Sequence, residues 1–275
     1  MKVLRLTIVP VMETLDNFRI DKRLTADPFF GSAFFMFACL SVYMLVVLKL
    51  GPQFMKNRKP YNVDHIMRLY NVMQIFLNLF AFYEMTRYSY WRSDFNLLCE
   101  GYNPQDVRPA TMGLTRPIKL YLISKYLDFF DTFFFLLRKK FNQITFLHVY
   151  HHILMVSATH SYGSQLFASH FTSTGVVNSF IHVIMYTYYL VASLKPNINL
   201  NKWKKMVTQL QLLQFGLLAI HYGLPLFFSN QCNVSIPWLW VAFLNNACIM
   251  GLFSNFYYKT YIRARSKQHS VEKAQ

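Results

Sequence analysis

The sequence predicts an all-α integral membrane protein with seven transmembrane helices. Three observations carry that reading. Only 15% of the 275 residues are charged and 54% are hydrophobic, whereas a soluble domain carries about 25% charged residues. Apolar stretches close to the roughly 20 residues that a helix needs to cross a bilayer recur along the chain. The segments after the first, third, fifth and seventh stretches are basic, whereas the loops near 164–169 and 229–236 hold no Lys or Arg. A helix follows for each stretch because lipid offers no partner to backbone N–H and C=O groups.

In chain order, residues 1–29 form a non-cytosolic N-terminal segment. Its apolar run is broken by Pro10 and Glu13 and lacks a small-residue cleavage site, so it is not read as a signal peptide. Spans follow at 30–50, 66–86, 117–137, 145–163, 170–194, 206–228 and 237–258, making one transmembrane domain over 30–258. Residues 259–275 are a basic tail. No repeat, linker or shift in composition divides the chain.

Charge orients the spans. The connections after the first, third, fifth and seventh hold Lys56, Arg58 and Lys59; Arg138, Lys139 and Lys140; Lys195, Lys202, Lys204 and Lys205; then Lys259, Arg263, Arg265 and Lys267. The loops near 164–169 and 229–236 hold no Lys or Arg. The C-terminus is therefore expected in the cytosol and the N-terminus across the membrane, although five basic residues precede the first span. The net charge of +16 sits between apolar spans rather than on a soluble face, which sets nucleic acid aside. Trp91, Trp203 and Trp238 fit boundary anchors.

Cys99 and Cys232 both fall in non-cytosolic loops and are a candidate disulfide, while Cys39 and Cys248 lie inside spans. Two free thiols are the alternative. No Cys-x-x-Cys spacing suggests a metal. Asn233-Val234-Ser235 is a formal glycosylation sequon, but it abuts the last span.

Four spans carry polar stripes. In span three, KYLDFFDT places Lys125, Asp128, Asp131 and Thr132 in an apolar helix, with Lys125, Asp128 and Asp131 three residues apart. Each charge costs about 2.5–3.5 kcal/mol at mid-membrane on insertion scales, so the trio must face a protein interior. Its roles are a site, a structural ion pair, or both. In span four, FLHVYHH sets His148, His151 and His152 on one helical face. In span five, NSFIHVIMYTYY sets Asn178, His182, Tyr186 and Tyr189 along one stripe, and in span six Thr208, Gln211 and Gln214 recur every three residues. Interhelical hydrogen bonding alone would explain either of the last two. Together the four stripes read as the lining of one enclosed polar cavity. His65, His160, His170 and His269 lie near span ends or in tails and are given no chemistry; His221 is ambiguous.

LGPQFMKNRKPY (50–61), KYLDFFDT (125–132), FLHVYHH (146–152), NSFIHVIMYTYY (178–189) and TQLQLLQ (208–214) resemble, in order, the motifs of the very-long-chain fatty acid elongases, the membrane 3-oxoacyl-CoA synthases. The resemblance covers most of residues 30–265. It implies six helices around a narrow substrate tunnel with the seventh packed outside. It also implies condensation of a long-chain acyl-CoA with malonyl-CoA to a 3-oxoacyl-CoA two carbons longer, releasing CO2 and CoA, without a cofactor or metal. His151 is the nucleophile the family mechanism suggests, through an acyl-imidazole; the residues alone nominate His148 or His152 equally.

On the same reading, His152, His182 and Asn178 are donors to the enolate and tetrahedral oxygens. Asp131 and His148 orient the nucleophile, and Lys125 with Asp128 hold the cavity or position malonyl. Tyr186, Tyr189, Gln211 and Gln214 line the substrate path. Lys139, Lys140, Lys204, Lys205, Arg263 and Arg265 either meet CoA phosphates or simply obey the positive-inside tendency. Residence in the endoplasmic reticulum membrane, a homodimer and association with other elongation-cycle enzymes are further implications.

Two positions depart from the family pattern. Asp128 stands where the family usually has Glu, and the tail SVEKAQ is not a dilysine signal, so residence rests on resemblance. A metal-dependent membrane desaturase or hydroxylase is the nearest rival enzyme, but it needs several histidine boxes where this chain has one. A seven-span receptor or transporter is the non-enzymatic rival; no paired half-repeats support it.

Overall fold

The computed structural model describes residues 21–25, 28–194, 197–228 and 233–263. All regular structure among them is helical. The seven long helical segments are α1 (Ala33–Met55), α2 (Asp64–Tyr88), α3 (Thr115–Leu127 continued by Phe129–Leu137), α4 (Phe146–Gln165), α5 (Thr172–Leu194), α6 (Asn201–Phe228) and α7 (Ile236–Arg263). They overlie the stretches expected from apolar length. Among the described residues α1, α5, α6 and α7 are long and apolar enough to cross a membrane. Helices α2 and α4 fall short of that measure through the polar residues they carry, and α3 because its break at Asp128 leaves arms of 13 and 9 residues.

Neighbouring helices pack α2–α3, α3–α4, α4–α7, α7–α6, α6–α5 and α5–α2, which closes a ring of six. The helix left outside is α1, which leans on α3 and α4 through Met36, Leu40, Tyr43 and Val47. Four apolar clusters fill the seams, among them Ala81, Met85, Tyr121 and Leu122 between α2 and α3, and Leu218, Tyr222, Leu239 and Ala242 between α6 and α7.

Local chemistry explains the irregular points. Ser32 caps α1 by accepting a hydrogen bond from the Phe35 N–H at 3.1 Å. Pro52 lies within the same helix and has no N–H to offer, and the helix widens to a π-turn over Val46–Leu50 just before it. Gly51 closes that turn: a Cβ there would lie 2.7 Å from the Val46 carbonyl oxygen. The two arms of α3 meet at Asp128 without any Pro or Gly. Side chains of α2 serve the carbonyls at that break, the Tyr70 hydroxyl donating to Leu127 O at 3.2 Å and Gln74 Nε2 to Ser124 O at 3.4 Å. The C-terminal arm ends with Lys139 at φ 54°, a left-handed terminator more often occupied by Gly.

The two ends of the ring differ in charge. At one end Lys139 Nζ donates to the Lys56 carbonyl at 3.3 Å, Arg68 to the Ser193 carbonyl at 2.8 Å, and Lys205 stands over the Tyr257 ring. The other end is covered by the 89–108 loop. Tyr102 N–H donates to the Asn233 carbonyl at 2.7 Å and the Asn233 side chain returns a bond to the Tyr102 carbonyl at 2.9 Å, so the sequon amide is already engaged. Arg92 and Arg108 there meet Asp94, Glu100 and Asp106. Hydrogen bonds from Arg92 and then Arg108 hold Asp94 down at about 2, and Arg108 holds Asp106 well below the usual carboxylate range. Cys99 in this loop is disulfide-bonded and Cys39 and Cys248 are free; Cys232, nominated as its partner, lies outside the described residues.

Candidate active site

Lys125 is the centre of the buried polar cluster. Its side chain is 0% exposed, and Nζ has three acceptors: Asp128 Oδ2 at 2.8 Å, Asn178 Oδ1 at 3.1 Å and His182 Nδ1 at 3.2 Å. An ammonium would fill all three with its three N–H bonds; with the lysine so charged, His182 Nδ1 accepts and its proton sits on Nε2. Tyr121 donates to the same Asn178 Oδ1 at 2.9 Å. Asp128 takes two more bonds on Oδ1, from Gln74 Nε2 and the Tyr186 hydroxyl, both at 2.8 Å. Tyr186 also lies 2.8 Å from Asp131 Oδ2 and 3.1 Å from the Tyr70 hydroxyl. Side chains of α2, α3 and α5 thus share one continuous network.

The histidine face of α4 starts at a sound helix end, where Thr145 accepts from the His148 N–H at 3.2 Å. His148 Nε2 lies 2.9 Å from Thr132 Oγ1, and that hydroxyl lies 2.9 Å from the Tyr43 hydroxyl. Of the two residues expected to orient the nucleophile, His148 meets Thr132 and Asp131 turns to Tyr186. His152 is buried against His148, Tyr43 and Phe129. The His151 ring meets Phe215, Phe253 and His152 edge-on. Among the described residues neither His151 nor His152 has a hydrogen-bonded side-chain partner. His151 feels the charge of Lys125, and His182 feels His151, which puts the two stripes within electrostatic reach. No three His, Cys, Asp or Glu side chains among the described residues converge as metal ligands.

Two small cavities open from this level. One of about 40 Å³ lies between α4, α6 and α7 and is lined by Leu154, Met155, Gln214, Phe215, Asn245 and Ile249 among others. The second, about 30 Å³, lies among the ends of α2 to α5 against Met85, Tyr121, Phe171 and Gly175. They share Tyr162 and Thr174. Each has room for a few water-sized groups and none for a bulky ligand.

Comparison with known proteins decides the family. The model of the GNS1/SUR4 (ELO) family matches residues 28–269. Very long chain fatty acid elongase 7 of Drosophila melanogaster is 34% identical over 267 residues, 95% of this chain and 79% of the relative. Elongase 5 of Mus musculus is 37% identical over 236 residues, 85% of this chain and 77% of the relative. Elongase F of Drosophila simulans is 34% identical over 256 residues, 90% of this chain and 95% of the relative. The chain belongs to the GNS1/SUR4 family.

In this ELO chain the remaining nominated residues divide. Tyr189 packs on Tyr186 and Tyr188 at the edge of the network. Gln211 Nε2 approaches Met185 Sδ at 3.6 Å. Gln214 lines the larger cavity with Oε1 buried and unpartnered. Lys139, Lys140, Lys204, Lys205 and Arg263 sit at the basic ends of α3, α6 and α7, away from the acid cluster; Arg265 lies outside the described residues. Sequence reading missed Tyr43, Tyr70, Gln74 and Tyr121 altogether. A signal existed for one: Asn71, Gln74 and Asn78 are a buried stripe on α2 at spacings of three and four.

Proposed function

We propose that this elongase-family chain condenses a long-chain acyl-CoA with malonyl-CoA to give a 3-oxoacyl-CoA two carbons longer, through an acyl-imidazole on His151. The observation that carries the reading is the placement of His151. Its ring nitrogens have no competing bond among the described residues, and its ring edge rests on Phe215, a wall of the narrow cavity. An acyl group joined there would extend along Leu154, Met155 and Ala158, the next turns of α4. His148, by contrast, already uses Nε2 on Thr132.

In the first half-reaction a His151 nitrogen attacks the thioester carbon, the C–S bond breaks, and the imidazole proton leaves with CoA as its thiol. In the second, malonyl-CoA loses CO2 and the electron pair left behind attacks the acyl carbon, expelling the imidazole. The His182 Nε2–H, oriented by Lys125, and the Asn178 amide are donors for the oxygens that gain charge. The basic end of the ring, with Lys139, Lys140, Lys204, Lys205 and Arg263, suits CoA phosphates. On this reading all seven long helices span the membrane of the endoplasmic reticulum, with that end cytosolic and the ring forming the tunnel. Disulfide-bonded Cys99 lies on the lumenal side on this reading.

The test uses wild type and His151→Ala purified in detergent, each given a panel of acyl-CoAs and isotope-labelled malonyl-CoA, with products followed by mass spectrometry. Wild type is expected to make products two carbons longer and, with acyl-CoA alone, to gain the mass of one acyl group; the variant does neither. Product from both would remove His151 as nucleophile, and no product from folded wild type across the panel would remove the condensation.

A further inference from the structure

The contacts around Tyr186 pose a counting problem. Its one phenolic oxygen is 2.8 Å from Asp128 Oδ1 and 2.8 Å from Asp131 Oδ2. Two oxygen–oxygen contacts of that length each need a hydrogen between them, and the phenol supplies one. Tyr70, 3.1 Å away, does not remedy this, since a proton it gave to Tyr186 would serve a third contact. The second hydrogen must therefore come from a carboxyl group.

Asp128 is compensated as an anion: Lys125 and Gln74 donate to it besides Tyr186. Asp131 forms no ion pair among the described residues, and Tyr186 is the partner on its Oδ2. The spare proton belongs on Asp131. An acid that donates to Tyr186 lets Tyr186 donate to Asp128, and the chain runs on: Asp131 Oδ2 to Tyr186 at 2.8 Å, Tyr186 to Asp128 Oδ1 at 2.8 Å, Asp128 Oδ2 to Lys125 Nζ at 2.8 Å, and Lys125 to His182 Nδ1 at 3.2 Å. Every link is within hydrogen-bond reach, and the chain ends at an imidazole whose other nitrogen carries a transferable proton.

We propose that Asp131 stores a proton and that this chain delivers it through His182 in the second half-reaction, which rests on the condensation reading above. The balance calls for one. When the acyl C–N bond breaks, the His151 nitrogen departs with an electron pair and must be protonated, so that each turnover consumes one proton alongside the malonyl carboxylate. His182 gives its Nε2 proton to that nitrogen. Lys125 passes a proton to Nδ1, Asp128 relays to Lys125 the proton received from Tyr186, Asp131 replaces the phenolic proton, and proton exchange with water returns His182 to its Nε2–H tautomer before the next turnover. Asp131, left ionised, is partly accessible and takes a proton from water before the next turnover. Asp131 and Tyr186 are positioning residues for the proton; His182 is the group that this proposal brings to the reacting atoms.

Infrared spectroscopy of the purified protein in H2O and D2O tests the storage. Wild type is expected to show an exchangeable carboxylic-acid C=O band that Asp131→Asn removes and Tyr186→Phe keeps. The amide introduced by Asp131→Asn would still donate a hydrogen bond to Tyr186, so thermal stability of that variant is the control for folding. Delivery is read by separating the half-reactions: CoA release with acyl-CoA alone, then labelled CO2 release on adding malonyl-CoA. Both variants should slow multiple turnover by about 100-fold, the lower range for a lost general acid, with the acyl-enzyme accumulating. A wild type without the band, or one whose band survives Asp131→Asn, would overturn storage. Equal slowing of both half-reactions would overturn delivery. A wild type that shows the band but forms neither acyl-enzyme nor product would overturn the condensation and the delivery with it, leaving the stored proton established.

Discussion

A methyl group added at Gly113 would lie 2.4 Å from Tyr88 Cε1 and 2.5 Å from Cδ1. A tyrosine ring cannot yield there as a flexible chain end would, so Gly113→Ala is expected to destabilise by about 1–3 kcal/mol, the usual scale of overpacking. Gly251 has nothing within 4 Å of an added Cβ, and Gly251→Ala should leave the melting temperature equal or slightly higher, since Ala is the better helix former by about 1 kcal/mol. Thermal unfolding in detergent decides both, and a Gly113→Ala protein as stable as wild type would contradict the packing at Tyr88. At this same scale the site was only partly readable. Lys125, Asp128, His182 and the three histidines stood out because an ionisable group is rare among apolar neighbours. Tyr43, Tyr70 and Tyr121 did not, because in a chain with 18 tyrosines one more buried phenol carries no signal until its oxygen is seen to meet a partner. Thr132 stood in the sequence only as one member of the span-three stripe, and its place between α4 and α1, with Asp131 turned to α5, appears only in the fold.

Between elements, α2 acts as a bracket for the break in α3. Gln74, fully buried, donates to Asp128 at 2.8 Å, to the Tyr70 hydroxyl at 3.0 Å and to the Ser124 carbonyl at 3.4 Å. Gln74→Leu keeps the bulk and removes those bonds, leaving a carboxylate short of a donor; a loss of about 1.5–3 kcal/mol is expected for a bond to a charged group. Chemical denaturation measures it, and turnover should fall with it. Unchanged stability would mean that α3 holds its break without α2. The 89–108 loop makes a separate prediction from pH. Asp94 and Asp106 are held low by Arg92 and Arg108, so their contribution is present above the unfolded carboxylate range near 4. It is lost only as pH falls through the folded values, toward about 2 for Asp94. Limited proteolysis of the loop should therefore be flat from pH 7 down to about 4 and rise below it; a rise near pH 6 would place the titration elsewhere. The break itself was illegible in the sequence, because Asp128 is neither Pro nor Gly and its deviation is held by residues more than 50 positions earlier.

For the whole molecule, apolar length located every long helix, while the order of packing was beyond it, since nothing in a single chain says that α2 and α5 adjoin or that α1 stands outside. The proposed orientation is open to direct labelling: cysteines introduced at Asn57 and Asn142 should react with an impermeant maleimide in intact microsomes, and one at Asn103 only after permeabilisation. The reverse pattern would invert the topology. The ring also has a history to account for. Its least apolar helices, α2, α3 and α4, are consecutive in the chain, and the groups that satisfy Lys125 and Asp128 arrive partly on α5. While the chain is being made, α3 leaves the ribosome with an ammonium and two carboxylates whose partners on α5 have not yet been synthesised. Each such charge resists transfer into lipid by about 2.5–3.5 kcal/mol. On the proposed seven-span topology, insertion of α3 waits beside the translocon, with α2 as its first companion, until α5 emerges, and a chain truncated before Asn178 should be recognised as misassembled by membrane quality control.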